Sequence, residues 1–356
     1  MSLIENIYEN QIQIPNSLDR KVKIDHKKTF VYGPKFSGKS YIIYNYLQKN
    51  NDKKYFIIDL NDHKNGKFDI SILDDFLFDN PIDILVLENY SNDFEIPLNI
   101  EEIIVSSSTY VQLDGFHPLH VMPLDFEEFI AFDNKHQSIT QTFNSFLKFG
   151  NLPDILEYKD IKKLNRNQEL LQLMSNHPTK TSIIYMIIKS IGQTHSMFWI
   201  FNQLKKQIKI SKDFFYATIT ELESNHSLLL LPKYNQEKAA KKIYFYNYAF
   251  IDNVSYQKNF THIFSNLIYL ELFNKNYEIY YLDGIDFYIP ELNKIIIAMP
   301  FFNTFLFAGI AKKIQKAMND IQIDRITIIT ISNEDRIKVN ELEAKVIPFY
   351  EWAVGE

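Results

Sequence analysis

The sequence predicts an α/β fold. A parallel sheet with helices on both faces comes first, then a helical module closed by a two-stranded ribbon, then a second, smaller α/β unit. Three observations carry this. Short, nearly continuous apolar runs alternate with helix-patterned segments up to about residue 125, as strands buried on both faces require. Three helix-patterned segments followed by two short strands occupy the middle of the chain, the layout of a winged helix. Strand and helix patterns then return in the last hundred residues.

Residues 1–28 are polar and lysine-rich and read as a lead-in helix and turn. Residues 29–32 (TFVY) are a β-prone run and 41–49 a helix. Between them lies Gly33-Pro34-Lys35-Phe36-Ser37-Gly38-Lys39-Ser40. This run fits G-x-x-x-x-G-K-[ST], the phosphate-binding P-loop. The glycines let the backbone curl so that amides from Gly33 to Lys39 point inward at a polyphosphate. Lys39 is placed to reach the β- and γ-phosphates, Ser40 to offer its hydroxyl to Mg²⁺. The helix N-terminus adds partial positive charge. With only nine glycines in 356 residues, a chance match is rarer than usual.

Further strands are expected over 55–60, 82–87, 103–106 and 120–124, with a helix over 70–78. Helices follow at 126–132, 138–150, 167–175, 182–191, 197–208 and 212–225. Strands at 228–232 and 243–247 flank a lysine-bearing turn at 235–242 and complete the winged-helix order. The last part begins with a helix over 260–274. Strands at 278–282, 286–289 and 294–298, a helix at 308–320 and a strand at 325–331 complete it. The expected domains are 1–165, 166–255 and 256–356.

Composition bounds the function. A hydrophobic share of 46% is ample for real cores, and the absence of cysteine excludes a disulfide framework and Cys-based zinc sites. No apolar run approaches ~18 residues and the N-terminus lacks a signal-peptide core, so a soluble cytoplasmic protein with no membrane partner is expected. A net charge of −6 argues against a strongly basic nucleic-acid surface.

A P-loop site needs a strand ending in an acid that holds Mg²⁺, usually with a neighbouring acid to polarise water. The run ILVLENY supplies Glu88 at the metal position and Asn89 at the base position. Asparagine accepts no proton, so base assistance is lost or comes from elsewhere. Ser106 ends the 103–106 strand. Its hydroxyl suits either a γ-phosphate contact or plain turn chemistry. Only four arginines occur, and Arg20 and Arg166 are the two in the first two-thirds of the chain. Either could approach a phosphate. His117 and His120 read as loop or core histidines.

These blocks resemble the prokaryotic AAA-type ATPases of the archaeal-ATPase-like kind, which carry a C-terminal restriction-endonuclease-like region. The likeness runs through GPKFSGKS, ILVLENY, IIVSSS, MPLDFEEFIAF (similar to PLSFEEFL), FGNLPD (similar to GGFPE) and FSNLIYLELFNKNYEIYYLDGIDFYI, nearly the whole chain. It implies ATP and Mg²⁺ as cofactors, adenine over guanine, and a C-terminal endonuclease-like domain. Two departures stand out in the nucleotide-binding part. The family's acidic pair is Glu88-Asn89 here, and the arginine expected before PLDFEEF is missing. In the nuclease region Asp286 matches the family's aspartate, but the first glutamate falls at Ser265 and the Glu-x-Lys at Ala298-Met299-Pro300. One aspartate cannot gather Mg²⁺ alone, so the domain is expected to be degenerate, with Glu271 and Asp283 as spare acids.

For the winged helix, Lys212 lies among Asp213, Glu221 and Glu223, a poor face for phosphate. Lys205, Lys206, Lys209, Lys238, Lys241 and Lys242 lie nearby. Phe214, Phe215 and Tyr216 read as core. Three function classes follow: an ATPase switch, a module that holds ATP with slow or absent hydrolysis, and a DNA-directed factor. The second is preferred, with a protein partner on the C-terminal region, where Phe301, Phe302, Phe305 and Phe307 crowd.

Overall fold

The computed structural model describes residues 2–15, 17–65, 70–97, 99–133 and 138–355. Contacts divide the chain into two compact units, Met1–Pro123 with Ser224–Ser227, and Leu124–Glu223 with Leu228–Glu356.

The first unit contains α1 (Leu3–Glu9), β1 (Lys28–Tyr32), α2 (Lys39–Lys49), β2 (Tyr55–Asp59), α3 (Ile70–Asp79), β3 (Ile84–Glu88), β4 (Glu102–Ser107) and β5 (His117–His120). The strands form one sheet in the order β2-β3-β4-β1-β5, every pair parallel. Because strand side chains alternate, the continuous apolar runs supply two cores. Val31, Ile57, Val86 and Ile104 pack with Ile42, Ile43 and Leu47 of α2. Phe30, Phe56, Leu85 and Val105 pack with Ile4 of α1 and Leu73 and Phe76 of α3. Truncating a fully buried member such as Ile43 to alanine should cost about 2–5 kcal/mol. Ser2 and Glu5 form a reciprocal capping box that starts α1.

The expected strand over 120–124 is corrected to His117–His120. Pairing with β1 runs from Thr29↔His117 to Tyr32↔His120. The Val121 amide makes one more bond, to the Tyr32 carbonyl. Val121, Met122 and Leu124 are apolar because they are buried, and Pro123 has no amide to continue a ladder.

The second unit begins with α4 (Phe126–Phe132), α5 (Ile139–Phe149), α6 (Asp160–Leu173), α7 (Pro178–Lys189), α8 (Met197–Lys205) and α9 (Lys212–Ser224). The ribbon β6 (Leu228–Leu231) and β7 (Lys242–Phe245) is antiparallel. After α10 (Ile251–Val254) and α11 (Phe260–Asn274) come β8 (Tyr280–Leu282), β9 (Ile285–Ile289), β10 (Lys294–Ala298), α12 (Thr304–Ala317), β11 (Arg325–Thr330), β12 (Asp335–Val339), β13 (Leu342–Pro348) and α13 (Phe349–Gly355). Their six strands order as β12-β13-β11-β10-β9-β8, parallel at β10–β11 and β11–β13 and antiparallel elsewhere. The fold is thus α/β, with a parallel sheet, a helical region ending in a ribbon, and a mixed C-terminal sheet. The last two strands and α13 lie beyond the elements predicted from sequence. β12 reads DRIKV and carries exposed charges at an edge, which hides its period. Among the described residues no helix is long and apolar enough to cross a membrane.

Candidate nucleotide site

The loop between β1 and α2 is shaped by two glycines. Gly33 has φ +149°, and a Cβ there would lie 2.2 Å from the Val121 carbonyl oxygen, so the chain leaves β1 pressed against backbone. Gly38 has φ +96° and caps α2 without a side-chain hydrogen bond, leaving the first-turn amides to the loop interior. Phe36 also takes a left-handed φ, +63°.

Lys39 is folded back onto the loop. Its Nζ donates to the carbonyls of Gly33 at 3.0 Å and Pro34 at 2.7 Å. Burial pulls its ammonium down to about 7, while Glu88 works in the opposite direction. The Ser37 hydroxyl is fully buried and has no hydrogen-bond partner among the described residues. A buried orphan hydroxyl, an uncapped helix start and a lysine whose hydrogen bonds among the described residues go to carbonyls fit a polyanion.

Ser40 Oγ donates to Glu88 Oε1 at 2.6 Å, and the Tyr44 hydroxyl, one turn further along α2, donates to Oε2 at 3.3 Å. Glu88 is 6% exposed. Burial raises its pKa most, the charge of Asp59 adds to this, and Ser40, Tyr44 and Lys39 oppose it. Tyr44 is itself pushed up, chiefly by burial. The donor set of Ser40 and Glu88 suits Mg²⁺, which favours oxygen ligands.

Asn89 has φ +57° and its Nδ2 donates to Asp59 Oδ1 at 2.8 Å. The same oxygen accepts from the Asn61 amide at 2.9 Å. Asp59 was missed by sequence reasoning, because an acid at a strand end looks solvated. Its signal is the ending of YFIID, matching that of ILVLE.

Ser106 lies between β3 and β1, opposite Val31 in register, and is buried. Alternation with Ile104 puts it on the α2 side of the sheet. Ser107 faces the other way and donates to the Tyr90 carbonyl at 2.8 Å. Arg20 is buried and its guanidinium donates to the carbonyls of Ser37 at 3.1 Å and Met122 at 2.9 Å. It braces the loop from behind. Arg166, in the second unit, is ion-paired with Asp154 at 2.7 Å and Glu169 at 3.0 Å. His120 and His226 share a 2.7 Å hydrogen bond, and burial, then His226 and Lys39, pull His120 down to about 3. His226 carries no sequence signal linking it to this site.

The residues that the resemblance matches to a nuclease centre do not fit a metal. Asp286 is held by Lys242 at 2.9 Å and by the Ala298 amide at 3.0 Å. Ser265 is hydrogen-bonded to Tyr244. Glu271 accepts from the Phe126 amide at the start of α4, and Asp283 pairs with Lys233. Each acid is committed to another group. Lys242 is therefore spent inside the unit, whereas Lys205, Lys206, Lys209, Lys238 and Lys241 are exposed. Glu221 is neutralised by Lys180 at 2.6 Å, and Phe215 is core.

No family model matches the chain. It is similar to an uncharacterised protein of Methanocaldococcus jannaschii, 22% identical over 93% of this chain and 89% of the relative. Among solved structures it is similar to a Walker-type ATPase of Pyrococcus abyssi, with 14% identity, TM-score 0.42, and coverage of 71% of this chain and 93% of that one. It is also similar to the Orc1 protein of Aeropyrum pernix in complex with DNA, with 8% identity, TM-score 0.31, and coverage of 64% and 85%. The strand order β2-β3-β4-β1-β5 is a parallel α/β sheet in which β1 runs into the glycine loop and α2, the strand–loop–helix context that the G-x-x-x-x-G-K-[ST] pattern requires.

Proposed function

We propose that this protein binds MgATP through the β1–α2 loop, and that the bound nucleotide gates interaction modules in its C-terminal part. The expected division into 1–165, 166–255 and 256–356 belongs to this proposal. The carrying observation is the Ser40–Glu88 hydrogen bond. It joins the loop serine to a strand-end carboxylate, the pair of oxygen ligands that a nucleotide-bound Mg²⁺ needs. In this reading Lys39 exchanges its two carbonyls for phosphate oxygens. The amides of the Gly33–Lys39 run surround the polyphosphate, and Ser106 faces it from the next strand. Asn89 takes up no proton, so turnover is slow or absent unless another group serves. Nuclease chemistry forms no part of the proposal.

The test is titration of the full chain with a fluorescent ATP analogue in Mg²⁺. Lys39→Ala should abolish binding, and unchanged affinity would sink the assignment. A second reading, DNA binding by the α7–α9 and β6–β7 module, is favoured only by the exposed lysines at 205, 206, 209, 238 and 241. It requires retention of duplex DNA that weakens steeply with salt. Salt-insensitive or absent retention removes it.

A further inference from the structure

We propose that Asp59 takes the role Asn89 cannot fill: it receives the proton of the attacking water, so that the two acids of the site are split between neighbouring strands. This deepens the nucleotide reading and rests on it.

The register carries the argument. β2 and β3 are parallel, and Asp59 is the direct partner of Glu88. Both residues close their strands, and both follow apolar residues, Ile57 and Val86, that pack on α2. Alternation therefore turns both carboxyls to the side of the sheet where Ser40 lies. Neighbouring strands are about 4.8 Å apart. Asp59 is thus about one strand spacing from a carboxylate already tied to the loop serine.

Asn89 then has a function without being a base. Its amide donates to Asp59 Oδ1, and the Asn61 amide donates to the same atom. Two donors on one oxygen fix the carboxylate's orientation. Position 89 orients and position 59 reacts: the acid and the amide have exchanged places between the strands. A cavity of about 490 Å³ lies over both carboxyls, lined also by Asn6, Gln11 and Lys64. It gives water a route to them.

The step balances simply. The water oxygen bonds to the γ-phosphorus and its proton passes to the Asp59 carboxylate. The bond from that phosphorus to the β–γ bridging oxygen breaks, and its electron pair leaves on ADP. The proton then departs with inorganic phosphate or into solvent, restoring the carboxylate.

The experiment measures phosphate release from γ-labelled ATP at single turnover, beside binding of the fluorescent analogue, on the full chain with Mg²⁺. Asp59→Asn keeps the shape of the residue. It should bind nucleotide within about twofold of wild type and release phosphate at least about 100-fold more slowly. The exchange Asp59→Asn with Asn89→Asp, which returns the acid to β3, should recover at least tenfold over the single variant. Wild-type turnover in Asp59→Asn overturns the proposal, as does a wild-type protein that binds MgATP and never hydrolyses it. A wild-type protein that fails to bind MgATP overturns the nucleotide reading beneath it, and with it this step.

Discussion

Ser40 begins α2 just after β1, and Glu88 ends β3, two strands from β1 in sheet order, yet Ser40 Oγ is 2.6 Å from Glu88 Oε1. β4 lies between β1 and β3, so the contact closes across the end of that strand, where Ser106 faces the same side. In the proposed nucleotide reading this serine and carboxylate would supply two oxygen ligands to Mg²⁺.

The first prediction follows from that pairing. Glu88→Gln keeps a partner for Ser40 and removes the charge. Nucleotide should still bind through Lys39 and the loop amides, while the Mg²⁺ dependence of binding flattens by about tenfold or more, since the oxygen ligand has lost its charge. Titrating Mg²⁺ at fixed nucleotide tests this. An unchanged Mg²⁺ midpoint would remove Glu88 from the metal side.

Arg20 carries the second. Its guanidinium satisfies carbonyls at Ser37 and Met122 in a buried setting. Arg20→Met keeps the stem and strands those carbonyls. The loss should be about 2–4 kcal/mol of stability, with weaker nucleotide binding because the loop is no longer held from behind. Arg20→Lys should recover only part, since an ammonium lacks the planar fork. Urea unfolding of the three proteins decides it; equal midpoints would show that the brace carries no weight.

The loop and Glu88 were legible in the sequence because each is a local signal. Glycines at fixed offsets mark the first, and four apolar residues running into an acid mark the second. Asp59 was not, because its meaning comes from register with β3, and register is a tertiary fact. Arg20 and His226 act on segments about a hundred residues away, Met122 and His120, with no periodicity to announce them. The 120–124 strand was misread because burial and pairing leave the same apolar trace. The departures at Ser265 and Ala298 were legible, but the group that stands beside Asp286 in place of the expected metal was not. Lys242 looked like a wing charge and is instead the counter-ion of Asp286.

That replacement gives the third prediction. Asp286 accepts from Lys242 and from the Ala298 amide, linking β7, β9 and β10. Asp286→Ala should leave Lys242 half-buried without its partner and cost about 1–3 kcal/mol. Supercoiled DNA with Mg²⁺ or Mn²⁺ should stay intact with wild type and variant alike. Metal-dependent nicking by wild type, lost in Asp286→Ala, would restore the nuclease reading.

The fourth prediction concerns protons. Lys39 is pulled to about 7 in the ligand-free protein by burial, below its ordinary value near 10.4. The unfolded chain therefore binds more protons than the folded one between those values. This group makes ligand-free stability rise with pH across that window and lie at its lowest below pH 7. A polyphosphate at the loop reverses the balance, because nearby negative charge favours the ammonium. Binding at pH 8.5 should then take up close to one proton, and affinity should fall as pH rises from 7 to 9. Glu88, raised by burial, works in the opposite direction at lower pH, since a proton on it must leave before the carboxylate can hold Mg²⁺ in the proposed site. Calorimetry in buffers of different ionisation enthalpy reads proton uptake or release directly. Heats at pH 8.5 independent of the buffer would mean that Lys39 is already charged in the empty loop. Its two carbonyl contacts would then be the ion-dipole cradle of a cation rather than the resting place of a neutral amine.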